Sequence, residues 1–314
     1  MDNFLAVAQQ VAILFVLIGT GAALRKLKVI PEHAIEGLVN LLILVVTPCL
    51  IIDVFQRPFD PSMLKGLLLA FAVAALGHVV VIAIASALVR HPDANVVRPL
   101  RMAAVFSNAG FMGLPLEQAL LGERGVFYGV VYIVVFNLFM WSWGVGIMEN
   151  GKSKKESFLL SHSVVNPGTV GIACGLPFFF LSVKLPAVVG VPVHEIATLN
   201  TPVAMIVIGY YLMGAKLARV VKMACVYVAT TVRLLVYPLL MIAVLYPFRH
   251  ALDRNMMLAV VIAASAPVAA MVSMFAVRYG RDVDASVAVV SGTTLASVLT
   301  MPPVIALALA AFGG

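Results

Sequence analysis

Apolar runs of roughly 20 residues, each long enough as a helix to cross a hydrocarbon core of about 30 Å, follow one another along nearly the whole chain. Backbone polar groups inside lipid must be satisfied within the segment, so runs of this kind fold as helices packed on one another. Ten candidate spans follow, at residues 5–24, 35–54, 67–89, 103–121, 126–148, 164–183, 196–217, 220–245, 258–277 and 285–312. No connection between them is long enough to fold separately, which predicts one all-α polytopic membrane protein. Composition agrees: 62% of residues are hydrophobic and 11% charged, against roughly 45–50% and about 25% in soluble domains. The opening "MDNFLAVAQQ" lacks the basic flank and small-residue cleavage site of a secretory signal, so the first run reads as a retained span.

Ten spans put both termini on one side of the bilayer, and the basic residues say which. One alternate set of loops carries fourteen Lys and Arg, from Arg25, Lys26 and Lys28 to Arg278 and Arg281, while the other set carries six. Cytoplasmic loops collect Lys and Arg, so both termini are expected outside the cytoplasm. The net charge of +7 is therefore topological; it is scattered over short loops and forms no nucleic-acid-binding face. Cys49, Cys174 and Cys225 fall singly inside apolar runs and show neither metal-ligand spacing nor a disulfide pattern.

The polar stretch "ENGKSKKES" separates five spans from five. Five is odd, so the halves are expected to insert in opposite orientations: residues 1–148 as one repeat, 149–160 as a cytoplasmic linker and 161–314 as an inverted second repeat. Short matches agree with that division. Thr47-Pro48 in the second span has a counterpart in Thr201-Pro202 of the seventh, and the fourth and ninth spans run out into Gly122 and Gly280.

The fourth span contains "SNAGFMGLPLEQ", which sets Asn108, Gly110, Gly113, Pro115 and Glu117 inside otherwise apolar chain. Proline removes a backbone donor and glycine weakens helix, so an unwound segment is expected here, buried or lining a cavity. The ninth span has "ASAPVAAMVSM", with Ser265, Pro267 and Ser273 at the corresponding depth. Two interrupted helices at matching positions point to a transporter site near the midplane, where half-helix N-termini face an anion and unwound carbonyls can hold a cation. The alternative for each is a simple proline kink.

Arg233 lies near the centre of the eighth span, where a charge is costly. It either grips an anionic substrate or serves a carbonyl or an acid such as Glu117. His78, near mid-depth in the third span, is open to a proton-relay or a packing role. Glu117 and Asp53 lie nearer span ends, where carboxylates are usually solvated or stabilise a helix dipole. No Walker A loop, HExxH or G-x-S-x-G is present, so no enzyme and no ATP-driven transport is expected.

The residues also carry a family resemblance. "SNAGFMGLPLEQALLG" is similar to the first crossover of the auxin efflux carrier family, with Asn108 followed seven residues later by Pro115. "TPCLI", "NPGTVGIACG", "TPVAMIVIGYYL", "RLLVYPLL", "SAPVAAMVSMFAVRYGRD" and "ASVAVVSGTTLASVLTMPP" extend the likeness over essentially all of the chain. The resemblance implies ten helices in two inverted five-helix repeats, with broken fourth and ninth helices crossing at the centre. It also implies carrier-mediated movement of small organic anions such as malonate, malate or auxin-like carboxylates. The short 149–157 connection resembles prokaryotic members, implying a bacterial inner-membrane protein. Where the plant carriers have Gln after the first ninth-span proline, this chain has Val268, so no role of that Gln carries over.

The expected substrate-contacting set is Ser107, Asn108, Gly110, Pro115, Ser265, Pro267, Arg233, Thr47 and Thr201. No metal or cofactor is expected; coupling to a proton or sodium gradient and a homodimer are compatible with the sequence. An anion receptor that signals without transport is the alternative function, although no cytosolic domain is appended. A passive channel fits less well, because the polar groups cluster at one depth.

Overall fold

The computed structural model describes residues 2–149, 167–213 and 223–313. Most of the 149–160 connection and the basic residues Lys152, Lys154, Lys155, Lys216, Arg219 and Lys222 lie outside the described residues. Among the described residues the named elements are all helices, with one isolated bridge between extended segments. In chain order the α-helices are α1 (Asp2–Lys26), α2 (Glu32–Leu41), α3 (Thr47–Phe55), α4 (Pro61–Leu88), α5 (Ala94–Val105), α6 (Leu114–Phe139), α7 (Val145–Met148), α8 (Pro167–Leu181), α9 (Ala187–Thr198), α10 (Asn200–Met213), α11 (Ala224–Thr231), α12 (Tyr237–Leu245), α13 (Arg254–Ser265), α14 (Met271–Arg278) and α15 (Val283–Phe312). Six helical stretches are long and apolar enough to cross a membrane: His33–Phe55, Pro61–Leu88, Ala109–Met148, Ala187–Met213, Ala224–Phe248 and Val283–Phe312. Shorter apolar helices include Arg254–Ser265.

Several of these stretches are α-helices joined through a π-turn. Leu42–Val46, Ala109–Gly113 and Val232–Val236 are π-helical, and each ends two residues before a proline, namely Pro48, Pro115 and Pro238. Proline lacks an N–H and its ring clashes with the carbonyl four residues back, so a wider turn ahead of it accommodates both faults without ending the helix. Pro115 is therefore not where the fourth span opens. The helix opens at Phe106–Asn108, beyond the end of α5, and resumes at Ala109. Hydropathy also places the start of this region too late, since α5 begins at Ala94 on the polar turn holding Asn95 and Arg98.

The ninth-span region is built in the same way. α5 and α13 each have 12 residues and begin at an aspartate cap, Asp93 accepting from the Asn95 amide and Asp253 from the Met256 amide. Both then pass into extended chain, at Phe106 and Ala266. Gly122 divides α6 into two helices, so the helices resumed after each break end near Gly122 and Gly280, the two glycines with positive φ (64° and 60°) among the described residues. A left-handed residue ends a helix cheaply only when it has no Cβ.

α13 is buried from Met256 to Ser265, the all-round burial of a central helix. Around it are two apolar clusters. A smaller one joins α1, α2 and α10 through Leu14, Ile18, Ile35 and Met205, and a larger one includes Phe55, Phe127 and Phe179 with ring centroids 5.2–6.3 Å apart. The α1–α10 contact is closer than side chains normally allow. A Cβ on Gly21 would stand 2.8 Å from the Ile206 carbonyl carbon, and one on Gly209 would stand 2.7 Å from that of Ile18.

Candidate functional site

The two breaks meet. The Asn108 amide donates to the Pro267 carbonyl (2.6 Å) and the Ala269 amide to the Phe106 carbonyl (3.0 Å), so Ser107 and Val268 face each other as a single antiparallel bridge. The Val268 amide donates to Thr293 Oγ1 of α15 at 3.2 Å, which ties the second break to the neighbouring helix. Extended chain thus exchanges bonds with extended chain, and backbone groups that helix would have satisfied find partners at depth.

Beside this junction lies a cavity of about 680 Å³, within the range of roughly 300–1,000 Å³ typical of small-molecule sites. Its walls come from both apolar clusters. It is lined by Thr47, Val207 and Tyr211, by Ser107, Asn108, Gly110, Met271, Ser291 and Thr294, and by Arg25 and Glu36. Asn108 is only 7% exposed, and its carboxamide has no hydrogen-bond partner among the described residues. The buried Ser273 Oγ, also on the wall, is unpartnered among them as well. Most of the other polar groups are engaged. Thr47 Oγ1 donates to the Leu42 carbonyl (2.8 Å) within its π-turn, Asn137 Nδ2 to the Ile133 carbonyl (2.9 Å), and Ser107 Oγ to the Tyr132 hydroxyl (3.4 Å).

Four of the nine residues expected from sequence, Thr47, Ser107, Asn108 and Gly110, line this cavity. Pro115 and Thr201 instead line a smaller one of about 230 Å³ with Asp53, Glu123 and His194. Ser265 is buried and donates to the Ile262 carbonyl (2.8 Å), and Pro267 contributes its carbonyl to the junction. Arg233 lies outside both cavities, fully buried, with Nη1 donating to the Val105 carbonyl (2.6 Å) and Nη2 to that of Ala264. Sequence reading did not select Asn40, Asn137, Ser291 or Thr294. Asn137 carries the same signal as Asn108, an amide in an apolar run, whereas helical Ser and Thr satisfy themselves on preceding carbonyls and give none.

His78 packs as an aromatic side chain. It is fully buried, stacks on Phe139 with centroids 5.2 Å apart, and sets Nδ1 2.8 Å from the Ala74 carbonyl. Glu117 departs from the expectation of a solvated span end. The chain reverses at Gly122 and lays Gly129 directly against the carboxyl, which is fully buried with neither oxygen partnered among the described residues. A buried unpaired polar group costs about 1–3 kcal/mol. Glu117→Met, of similar length, is therefore expected to raise the melting temperature of the purified protein by about 2–4 °C; a lower melting temperature would show that the carboxyl is needed.

A helical membrane protein with two bonded helix interruptions beside a large, partly polar cavity has the build of a transporter. The chain belongs to the membrane transport protein family, that of the auxin efflux carriers, which it matches over residues 6–305. It is also 24% identical over 302 residues to a protein of Methanothermobacter thermautotrophicus described as an uncharacterized transporter, spanning 95% of this chain and 97% of that protein.

Proposed function

We propose that the chain is a secondary carrier of small organic anions, monocarboxylates or dicarboxylates, bound in the larger cavity and moved by alternating access. The unpartnered carboxamide of buried Asn108 is the observation that carries this reading, because buried polar groups are paired unless a ligand or water is to pair them. The helices resumed at Ala109 and Met271 begin at the same cavity, so their positive dipole ends favour an anion.

The finer architecture belongs to the proposal: ten spans in two inverted five-helix repeats, with the interrupted helices crossing. Support comes from the matched Asp93 and Asp253 caps, the 12-residue helices they start, and the positive-φ Gly122 and Gly280. The α1, α2 and α10 cluster is then the scaffold, and the helices around the junction move against it as a unit. The larger cavity is lined by Arg25 at the basic end of α1, whereas the lining of the smaller one includes Asp53, Glu123 and His194. On the positive-inside assignment the larger cavity faces the cytoplasm, which makes this an inward-open form with both termini outside.

The test is uptake into liposomes of labelled malonate, malate, lactate and indole acetate, with a proton or a sodium gradient imposed. Accumulation of at least one carboxylate is expected. Binding without uptake makes the protein a receptor, and neither binding nor uptake removes the anion reading.

A further inference from the structure

α5 and α13 end at one place. Val105 is the last residue of α5 and Ala264 the last but one of α13, and a single guanidinium, that of Arg233, donates to both carbonyls. The final carbonyls of a helix lack donors within it, and a helix carries about half a unit of negative charge at its C-terminal end. Two such ends brought together in an apolar interior repel each other and leave acceptors unpaired.

We infer that Arg233 is a positioning residue that joins these two helix ends and cancels their charge, without touching the transported molecule. Two half-charges balance one guanidinium. Among the described residues no carboxylate pairs with Arg233, so its charge is not spent on an ordinary ion pair. The side chain reaches both ends from the π-turn Val232–Val236 and lies over the Tyr237 ring, 4.7 Å from its centroid. The Tyr237 hydroxyl accepts from that of Tyr132 (3.4 Å), which in turn accepts from Ser107 Oγ (3.4 Å), so the support extends to the bridge itself. With the C-terminal ends cancelled, the helix charge left uncompensated beside the cavity is the positive one at Ala109 and Met271. This last consequence rests on the anion reading; the joining of the helix ends does not.

Hydrogen exchange separates the two. With no substrate present, the full protein in lipid nanodiscs is compared with Arg233→Gln and Arg233→Lys, following the amides of Asn108 and Ala269 at the junction and those of α1 as a remote control. Loss of a charge-assisted bond to each helix end is expected to speed exchange at the junction at least about tenfold in Arg233→Gln. Exchange in α1 should stay as it was, and Arg233→Lys, which keeps the charge but has no fork for two carbonyls, should exchange at the junction faster than the parent and more slowly than Arg233→Gln. Junction exchange unchanged in Arg233→Gln, or raised equally in α1, overturns the inference. Should Arg233→Gln fail to give monodisperse protein, Arg233→Lys decides alone: a Lys has no fork for two carbonyls, so faster exchange confined to the junction supports the inference, and unchanged or uniform exchange overturns it. Absence of both carboxylate binding and uptake with a positive exchange result would remove the anion reading and leave the joined ends standing.

Discussion

Asn108→Ala is expected to weaken carboxylate binding by about 10- to 100-fold, the loss of one hydrogen bond to a charged group at about 1.5–3 kcal/mol. The melting temperature should hardly move, because the deleted carboxamide has no partner among the described residues and leaves nothing unpaired behind. That separation of affinity from stability gives the substitution its force. Titration calorimetry on folded, monodisperse protein reads the first quantity and a thermal melt the second. Asn108→Asp sets a like charge in the same place and should remove detectable binding. If Asn108→Ala binds as tightly as the parent, Asn108 is not in the site, and the reading built on it falls.

The second large effect is on the fold. Gly21 and Gly209 admit the backbones of α10 and α1 to each other, the contacting atoms being the main chain of Ile206 and Ile18. Gly209→Val would place its new carbons against backbone that cannot rotate away, so α1 and α10 must separate along their length. Overpacking costs roughly 1–3 kcal/mol even where side chains can give, and here the neighbours are main chain. A fall in melting temperature of at least about 5 °C is expected. A change within one degree would mean that the two helices are not held this closely in the membrane.

How far the sequence reveals this molecule depends on whether a rule acts locally. Spans are legible because lipid forbids most alternatives, and Asn108 stands out because an amide in an apolar run has few reasons to be there. The position of the break is not legible from Pro115, since the π-turn at Ala109–Gly113 absorbs that proline and the chain opens at Phe106 instead. Thr47 and Thr201 occupy like positions in sequence yet line different cavities, because only the packing of α3 and α10 decides what each faces. Arg233 could be recognised as costly, but its partners are residues 105 and 264, far away along the chain. Glu117 was misread for a related reason: its burial is produced by Gly129, after a reversal that hydropathy does not register.

The three π-turns that precede Pro48, Pro115 and Pro238 also fix angular phase. A π-turn holds one residue more than the α-turn it replaces, so each residue beyond it is set back by about 100° in phase and about 1.5 Å in rise relative to an unbroken α-helix. The prolines thus serve as alignment marks. Each sets which face of the following segment looks inward, and does so at a point the helix cannot slide past. Removing one leaves a helix able to rewind by a single residue, which would carry the wrong side chains to the middle of the membrane while every span kept its length.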